Sequence, residues 1–122
     1  MKLICKDNEV FDILAKKNSL LDTSVLKISI ELKSGILNIE IILNNFRDES
    51  DFSKIKLVFD DVLEYSFFYT SDHYFYNLER VKFFKTDDEV YISLDPYNED
   101  DEIHEEDEDY IRSKHVHLYD ES

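Results

Sequence analysis

The most constraining feature of this sequence is a pair of alternating segments on either side of its only glycine, Gly35. In both segments apolar residues occupy every second position, which predicts two antiparallel strands joined by a two-residue turn at Ser34-Gly35. In that register apolar residues face one another at positions 32 and 37, 30 and 39, 28 and 41, and 26 and 43. A shift of one residue would place every apolar side chain on the opposite face. We therefore predict a hairpin over residues 26–43 at the centre of the fold, with a positive φ at Gly35.

The rest of the 122-residue chain predicts a mainly β (α+β) fold in a single domain, residues 1–122. Apolar alternation predicts a second hairpin with a turn at Asp60-Asp61, and it predicts strands over residues 55–59, 62–69, 81–84, 90–94 and 110–119. A short N-terminal helix is predicted over residues 9–17, whereas residues 71–80 suit either a helical turn or a loop. The expected architecture is an antiparallel sheet or sandwich of about six or seven strands with one short helix.

Charge is distributed very unevenly along the chain. The formal net charge is −15, and residues 60–122 carry all of it, because they hold twenty acidic and five basic residues whereas residues 1–59 hold nine of each. Nucleic acids and anionic membrane surfaces are both bound through Lys and Arg, so we expect neither as a partner. The single cysteine, Cys5, cannot form an internal disulfide, which favours a reduced, cytoplasmic location.

The densest charge lies in an acidic loop predicted over residues 98–109, where nine of the eleven residues from 99 to 109 are acidic. The spacing does not match an EF-hand, because a loop opening at Asn98 places Ile103 where glycine is required. One interpretation is a mobile, solvated loop that repulsion keeps extended and that holds no calcium. The other is a docking surface for a basic protein, with tyrosines as anchors. For that surface we predict the partner-binding residues Glu99, Asp100, Asp101, Glu102, Tyr65, Tyr69, Tyr74 and Tyr76.

The sequence offers little that points to catalysis or to a cofactor. One glycine does not suffice for a phosphate-binding loop, and the paired acids Asp60-Asp61 lie where a turn is predicted. His115 and His117 lie two residues apart on a predicted strand, so they share a face and are the candidates for a metal site. We therefore predict no enzyme activity, no catalytic residues and no cofactor.

Three stretches of the chain stand out together: Leu21-Asp22-Thr23 before the hairpin, Leu57 through Val62, and Tyr91 through Pro96 followed by the acidic loop and Asp109-Tyr110-Ile111. In this arrangement the chain resembles small immunity proteins of bacterial polymorphic toxin systems. The resemblance covers roughly residues 20–118. It implies a non-enzymatic inhibitor that binds a cognate toxin domain, often a basic nuclease. Two alternatives stay open, namely a small acidic adaptor or homo-oligomer whose edge strands pair two copies, and a metal-binding protein.

Overall fold

Seven antiparallel strands form one sheet in the computed structural model, which describes residues 2–72 and 76–122. In chain order the elements are β1 (Lys2–Lys6), α1 (Asn8–Ile13), a 3-10 turn (Lys16–Asn18), β2 (Ser24–Lys33), β3 (Ile36–Asn44), β4 (Lys54–Ser66), β5 (Lys82–Lys85), β6 (Val90–Asp95) and β7 (Glu108–Asp120). The strand order is β2-β3-β4-β7-β6-β5, and β1 also pairs with β7. The mainly β fold with one short helix is thus confirmed.

The β2–β3 hairpin has the predicted turn and most of the predicted register. Ser34 and Gly35 have φ angles of 53° and 79°, as a two-residue turn of the primed type requires. The pairs Ile28–Ile41, Ile30–Ile39 and Leu32–Leu37 form as predicted. The fourth pair is wrong, because the register shifts between Val25 and Lys27 and places Val25 opposite Leu43. A β-bulge therefore inserts Leu26 as an extra residue, which alternation cannot reveal.

The predicted second hairpin is wrong. Residues 54–66 form one continuous strand, β4, which pairs with β7 from Ile55–Asp120 to Ser66–Tyr110. Asp61 has a positive φ of 57°, and the register shifts between Val62 and Glu64, so the acidic pair marks an irregularity within a strand. Because β7 offers an equally long partner of 13 residues, the chain continues along it where the sequence alone suggested a turn.

The N-terminal helix is shorter than predicted, and a strand precedes it. β1 was not predicted; it lies beside the C-terminal half of β7, from Lys2–Asp120 to Lys6–His117. α1 ends at Ile13, and Lys16 then has a φ of 54°, which is incompatible with a continuing right-handed helix. Among the described residues no helix is long and apolar enough to cross a membrane.

One face of the sheet forms the core. Its fully buried apolar residues come mainly from β3, β4, β6 and β7, and they pack against Cys5, Val10, Leu14, Leu20 and Leu78. β2 is an edge strand, so the hairpin is not at the centre of the sheet as predicted. Its residues Ile30 and Leu32 are 46% and 68% exposed although they share a face with the buried β3 residues.

Candidate protein-interaction surface

Four of the predicted partner-binding residues lie in the β6–β7 loop, residues 96–107. The ladder of β6 and β7 ends at the pair Asp95–Glu108, and Pro96 starts the loop immediately afterwards. Glu108 and Asp109, which were assigned to the acidic loop, belong to β7. The loop therefore leaves and re-enters the sheet between adjacent strands, and Glu99, Asp100, Asp101 and Glu102 lie exposed on it.

A single buried carboxylate organises the end of this loop. The side chain of Asp107 is fully buried and accepts hydrogen bonds on both oxygens from Lys82 Nζ, each at 3.0 Å. It also accepts one from the Tyr91 hydroxyl at 2.8 Å. The backbone N–H groups of Tyr97 and His104 donate to it at 2.9 and 3.0 Å. Asp107 thus links the start and end of the loop to β5 and β6.

Lys82 of β5 is the cation of this cluster. Its side chain is 0% exposed, which for a lysine requires a charged partner and further acceptors. Besides Asp107, its ammonium donates to the Glu102 carbonyl at 2.7 Å and lies 3.5 Å from the Asp100 carboxylate, which is 49% exposed. We call Lys82, Tyr91 and Asp107 the Asp107 network. In this network Lys82 balances the negative charge of Asp107 and holds the backbone carbonyl of Glu102.

The pKa directions indicate an ionised Asp107 and a neutral Tyr91. Burial by itself would raise the pKa of Asp107, but the hydrogen bonds from His104, Tyr91, Tyr97 and Lys82 outweigh it and hold that pKa below its usual value. Burial and the adjacent Asp107 carboxylate raise the pKa of Tyr91. At neutral pH the Asp107 carboxylate is therefore charged, and Tyr91 donates its proton in a hydrogen bond.

The exposed acids are also held by local contacts. Asp100 accepts hydrogen bonds from the Glu102 N–H and the Asn98 side-chain amide, both at 3.1 Å. Glu99 lies 3.6 Å from Arg80, whose guanidinium donates to the Tyr97 carbonyl at 2.8 Å. Hydrogen bonds and ion pairs fold the loop back onto β5, so repulsion alone does not set its path, whereas the mobility of the loop and its lack of calcium stay predictions. Its carboxylates are displayed on a defined backbone.

Two exposed apolar residues of the loop were not selected from the sequence. Tyr97 is 53% exposed, and its ring stacks on His104 with centroids 4.1 Å apart and planes inclined by 15°. Ile103 is also exposed, and it borders a cavity of about 300 Å³ between the loop and the sheet, next to His104 and Tyr110. The available signal was that Ile103 interrupts the acidic run and that Tyr97 lies two residues before the run begins. Tyr97 and Ile103 are exposed apolar side chains that flank the four predicted acids, residues 99–102, in the sequence.

The predicted tyrosines lie outside the β6–β7 loop in the sequence. Tyr65 is the second-last residue of β4, and its ring lies beside that of Phe67 with centroids 5.5 Å apart. Tyr69 follows in the chain and is 71% exposed. The Tyr76 carbonyl accepts a hydrogen bond from Val25 N–H, so Tyr76 lies next to β2. Tyr74 lies outside the described residues. The tyrosine assignments therefore stay predictions.

Arg112 of β7 forms a second charged cluster, on the sheet surface beside the loop. Its guanidinium donates to Glu89 at 2.9 and 3.0 Å and to Glu64 at 2.8 Å. These bonds raise the pKa of Arg112, and hydrogen bonds from Arg112 and Tyr110 lower the pKa of Glu64. With two acids around one cation, this region adds to the negative charge next to the β6–β7 loop.

The histidines predicted as metal candidates have other neighbours. The His115 ring Nδ1 lies 3.2 Å from the Asp7 carboxylate, and His117 is paired with Lys6 and Val58 across the strands. In the described part of the chain, the group with metal-ligating atoms within 4.8 Å of one another is Asp95, Glu108 and Asp109, and it includes neither histidine. Asp109 in that group accepts a hydrogen bond from Phe68 N–H at 2.9 Å.

No protein-family model, curated protein or solved structure matches this chain.

Proposed function

We propose that this chain is a cytoplasmic, non-enzymatic binding protein that neutralises a cognate, basic toxin domain of nuclease type. The proposal carries over what the resemblance to bacterial immunity proteins implies. The observation that supports it best is the β6–β7 loop, in which a buried ion pair positions exposed carboxylates. A negatively charged surface complements the positive surface of a protein that binds nucleic acid through Lys and Arg.

The arrangement of the loop favours binding in two ways. Because the Asp107 network and the contacts of Asp100 already order the backbone, less conformational entropy is lost when a partner binds. The exposed acids attract a basic partner over a distance of about 8 Å at physiological salt. Tyr97 and Ile103 supply apolar contact area among these charges. Inhibition then follows from occupation of the basic surface that the nuclease needs for its substrate.

The first experiment is co-expression with the C-terminal domain of a toxin encoded directly upstream of this gene. We expect the two proteins to co-purify and the cells to survive expression of the toxin domain. If the protein neither co-purifies with that domain nor protects the cell, the proposal is wrong.

The second experiment tests the surface. In the variant Glu99→Gln/Asp100→Asn/Asp101→Asn/Glu102→Gln, the net charge changes from −15 to −11 while the side chains keep their size. We expect association at low salt, about 10⁸ M⁻¹s⁻¹ for a steered pair, to slow by about tenfold and to depend less on salt. Stopped-flow mixing with the toxin domain measures both quantities.

The matched control neutralises four exposed acids in the electrically neutral half, Glu9, Asp12, Asp48 and Glu49. It makes the same change in net charge at a different place. Equal slowing in both variants would mean that only total charge matters, and unchanged kinetics in the loop variant would locate the contact elsewhere, for example at Tyr65 and Tyr69.

A further inference from the structure

Among residues 2–72 and 76–122, the outer edge of β2 has pairing partners only at its N-terminal end. At its N-terminal end Ser24 forms a bridge with Asn77, and Val25 N–H donates to the Tyr76 carbonyl at 2.6 Å. From Leu26 onward, no described residue pairs with this edge. In an antiparallel ladder, alternate residues direct their N–H and C=O groups to each side. Since a two-residue turn closes on a hydrogen-bonded pair, we place the outward groups of the open edge on Ile28, Ile30 and Leu32.

The open stretch is self-complementary. It consists of Leu26-Lys27-Ile28-Ser29-Ile30-Glu31-Leu32. Residues at equal distances from Ser29 are either identical, as Ile28 and Ile30 are, or opposite in charge, as Lys27 and Glu31 are. If a second copy pairs antiparallel about Ser29, Ile28 lies opposite Ile30 and Lys27 lies opposite Glu31. The outward backbone groups of Ile28 and Ile30 then face each other, so the same register also satisfies the ladder. Leu26 and Leu32 close the two ends.

From Leu26 to Leu32, this edge has no proline and no inward-pointing charge, and no described residue covers it. These are three of the features that protect edge strands against pairing. Here the face shared with the core carries the exposed residues Ile30 and Leu32, while Lys27 and Glu31 point to the other face. Pairing of two β2 strands would continue the apolar face from one sheet into the next and would set opposite charges against each other.

The charge distribution favours the same contact. β2 lies in residues 1–59, whose formal charge sums to zero, whereas all of the net −15 lies in residues 60–122. Two copies joined through β2 therefore meet through their neutral halves. The β6–β7 loop connects β6 and β7, toward the opposite edge of the sheet order.

We infer that two copies of this chain form a two-fold symmetric dimer in which β2 pairs antiparallel with β2, centred on Ser29. The interface is isologous, so each Lys27 faces the Glu31 of the other copy and the contact occurs twice. The inference concerns a surface separate from the acidic loop and does not depend on the proposed toxin partner.

Sedimentation velocity of the full chain over a concentration series tests this dimer. We expect Lys27→Glu and Glu31→Lys each to weaken dimerisation by about tenfold, since each replaces two attractive cross-strand pairs by repulsive ones. The double variant Lys27→Glu/Glu31→Lys restores the opposite charges and should regain the affinity of the wild type. Both positions are exposed, so circular dichroism spectra should stay unchanged.

A backbone variant provides an independent measurement. Ile30→Pro removes an N–H group that we place on the outer edge, where proline is tolerated, and should give a folded monomer. The inference is wrong if the wild type is monomeric throughout the concentration series. It is equally wrong if the dimer survives in Ile30→Pro, or if the double charge variant fails to regain affinity.

Discussion

Replacing Asp107 by Asn tests whether the Asp107 network holds the β6–β7 loop as described. The substitution keeps the size of the side chain but leaves the ammonium of Lys82, which is 0% exposed, without its fully buried counter-ion. It also sets an amide donor among groups that all donate, namely the Tyr91 hydroxyl and two backbone N–H groups. Breaking a buried ion pair by removing one partner costs about 3–5 kcal/mol. That is a large part of the roughly 5–15 kcal/mol that stabilises a typical domain.

Urea unfolding followed by circular dichroism measures the change. The matched control is Asp100→Asn, because Asp100 contacts the same ammonium at 3.5 Å but is 49% exposed. A pair so accessible to water contributes at most about 1 kcal/mol. We therefore expect a large loss of unfolding free energy for Asp107→Asn and a small one for Asp100→Asn.

Adding Lys82→Met to Asp107→Asn completes a thermodynamic cycle. The double variant contains no uncompensated ammonium, so its loss of stability should be smaller than the sum of the two single losses by about 0.5–3 kcal/mol. If Asp107→Asn costs less than about 1 kcal/mol, or if the two losses simply add, then the buried pair does not act as a unit and the reasoning is refuted.

Three further predictions concern the fold. Ile41→Ala should lower the unfolding free energy by about 2–5 kcal/mol because Ile41 is fully buried, whereas Ile30→Ala on the exposed edge should cost far less; urea titration of both variants compares them. Gly35→Ala should cost about 1–2 kcal/mol in the same assay, since its φ is +79° and no atom within 4 Å would clash. Because the pKa of Asp107 is lower in the folded state than its usual value of 3.8, ionisation of Asp107 stabilises the fold above about pH 3.8. This contribution is lost as the pH falls below that value. Acidification should therefore lower the unfolding free energy of the wild type more than that of Asp107→Asn.

Local patterns in the sequence were sufficient for some elements and insufficient for others. The β2–β3 turn was predictable because one glycine and strict alternation agree on it, and the two predictions rest on independent physics. The bulge at Leu26 and the irregularity at Asp61 could not be predicted from local patterns, because each depends on which strand pairs with β2 or β4. β1 was missed because five residues carry too little periodicity, and its place is set by β7, more than a hundred residues away in the chain.

The acidic residues of the candidate surface could be predicted from the sequence, but the contacts that hold the loop could not. A run of acids is visible in the sequence, and so is its position between two strands. Nothing local distinguishes Asp107 from the acids on either side of it, because its burial depends on Lys82 and Tyr91, which lie 25 and 16 positions away. Tertiary structure therefore determines which of the nine acids becomes the buried counter-ion of Lys82.

The Asp107 network matters more for position than for net stability. Buried ion pairs add little stability in comparison with apolar residues of similar size, because desolvation offsets their attraction. What this pair does provide is a fixed path for the loop, since Lys82 holds both Asp107 and the Glu102 carbonyl. An ordered loop presents its acids to a partner without first losing entropy. Asp107→Asn leaves Glu99, Asp101 and Glu102 charged, so it should retain long-range attraction to a basic partner while its complex dissociates faster. Such a division between association and dissociation rates distinguishes a positioning role for Asp107 from a merely electrostatic one.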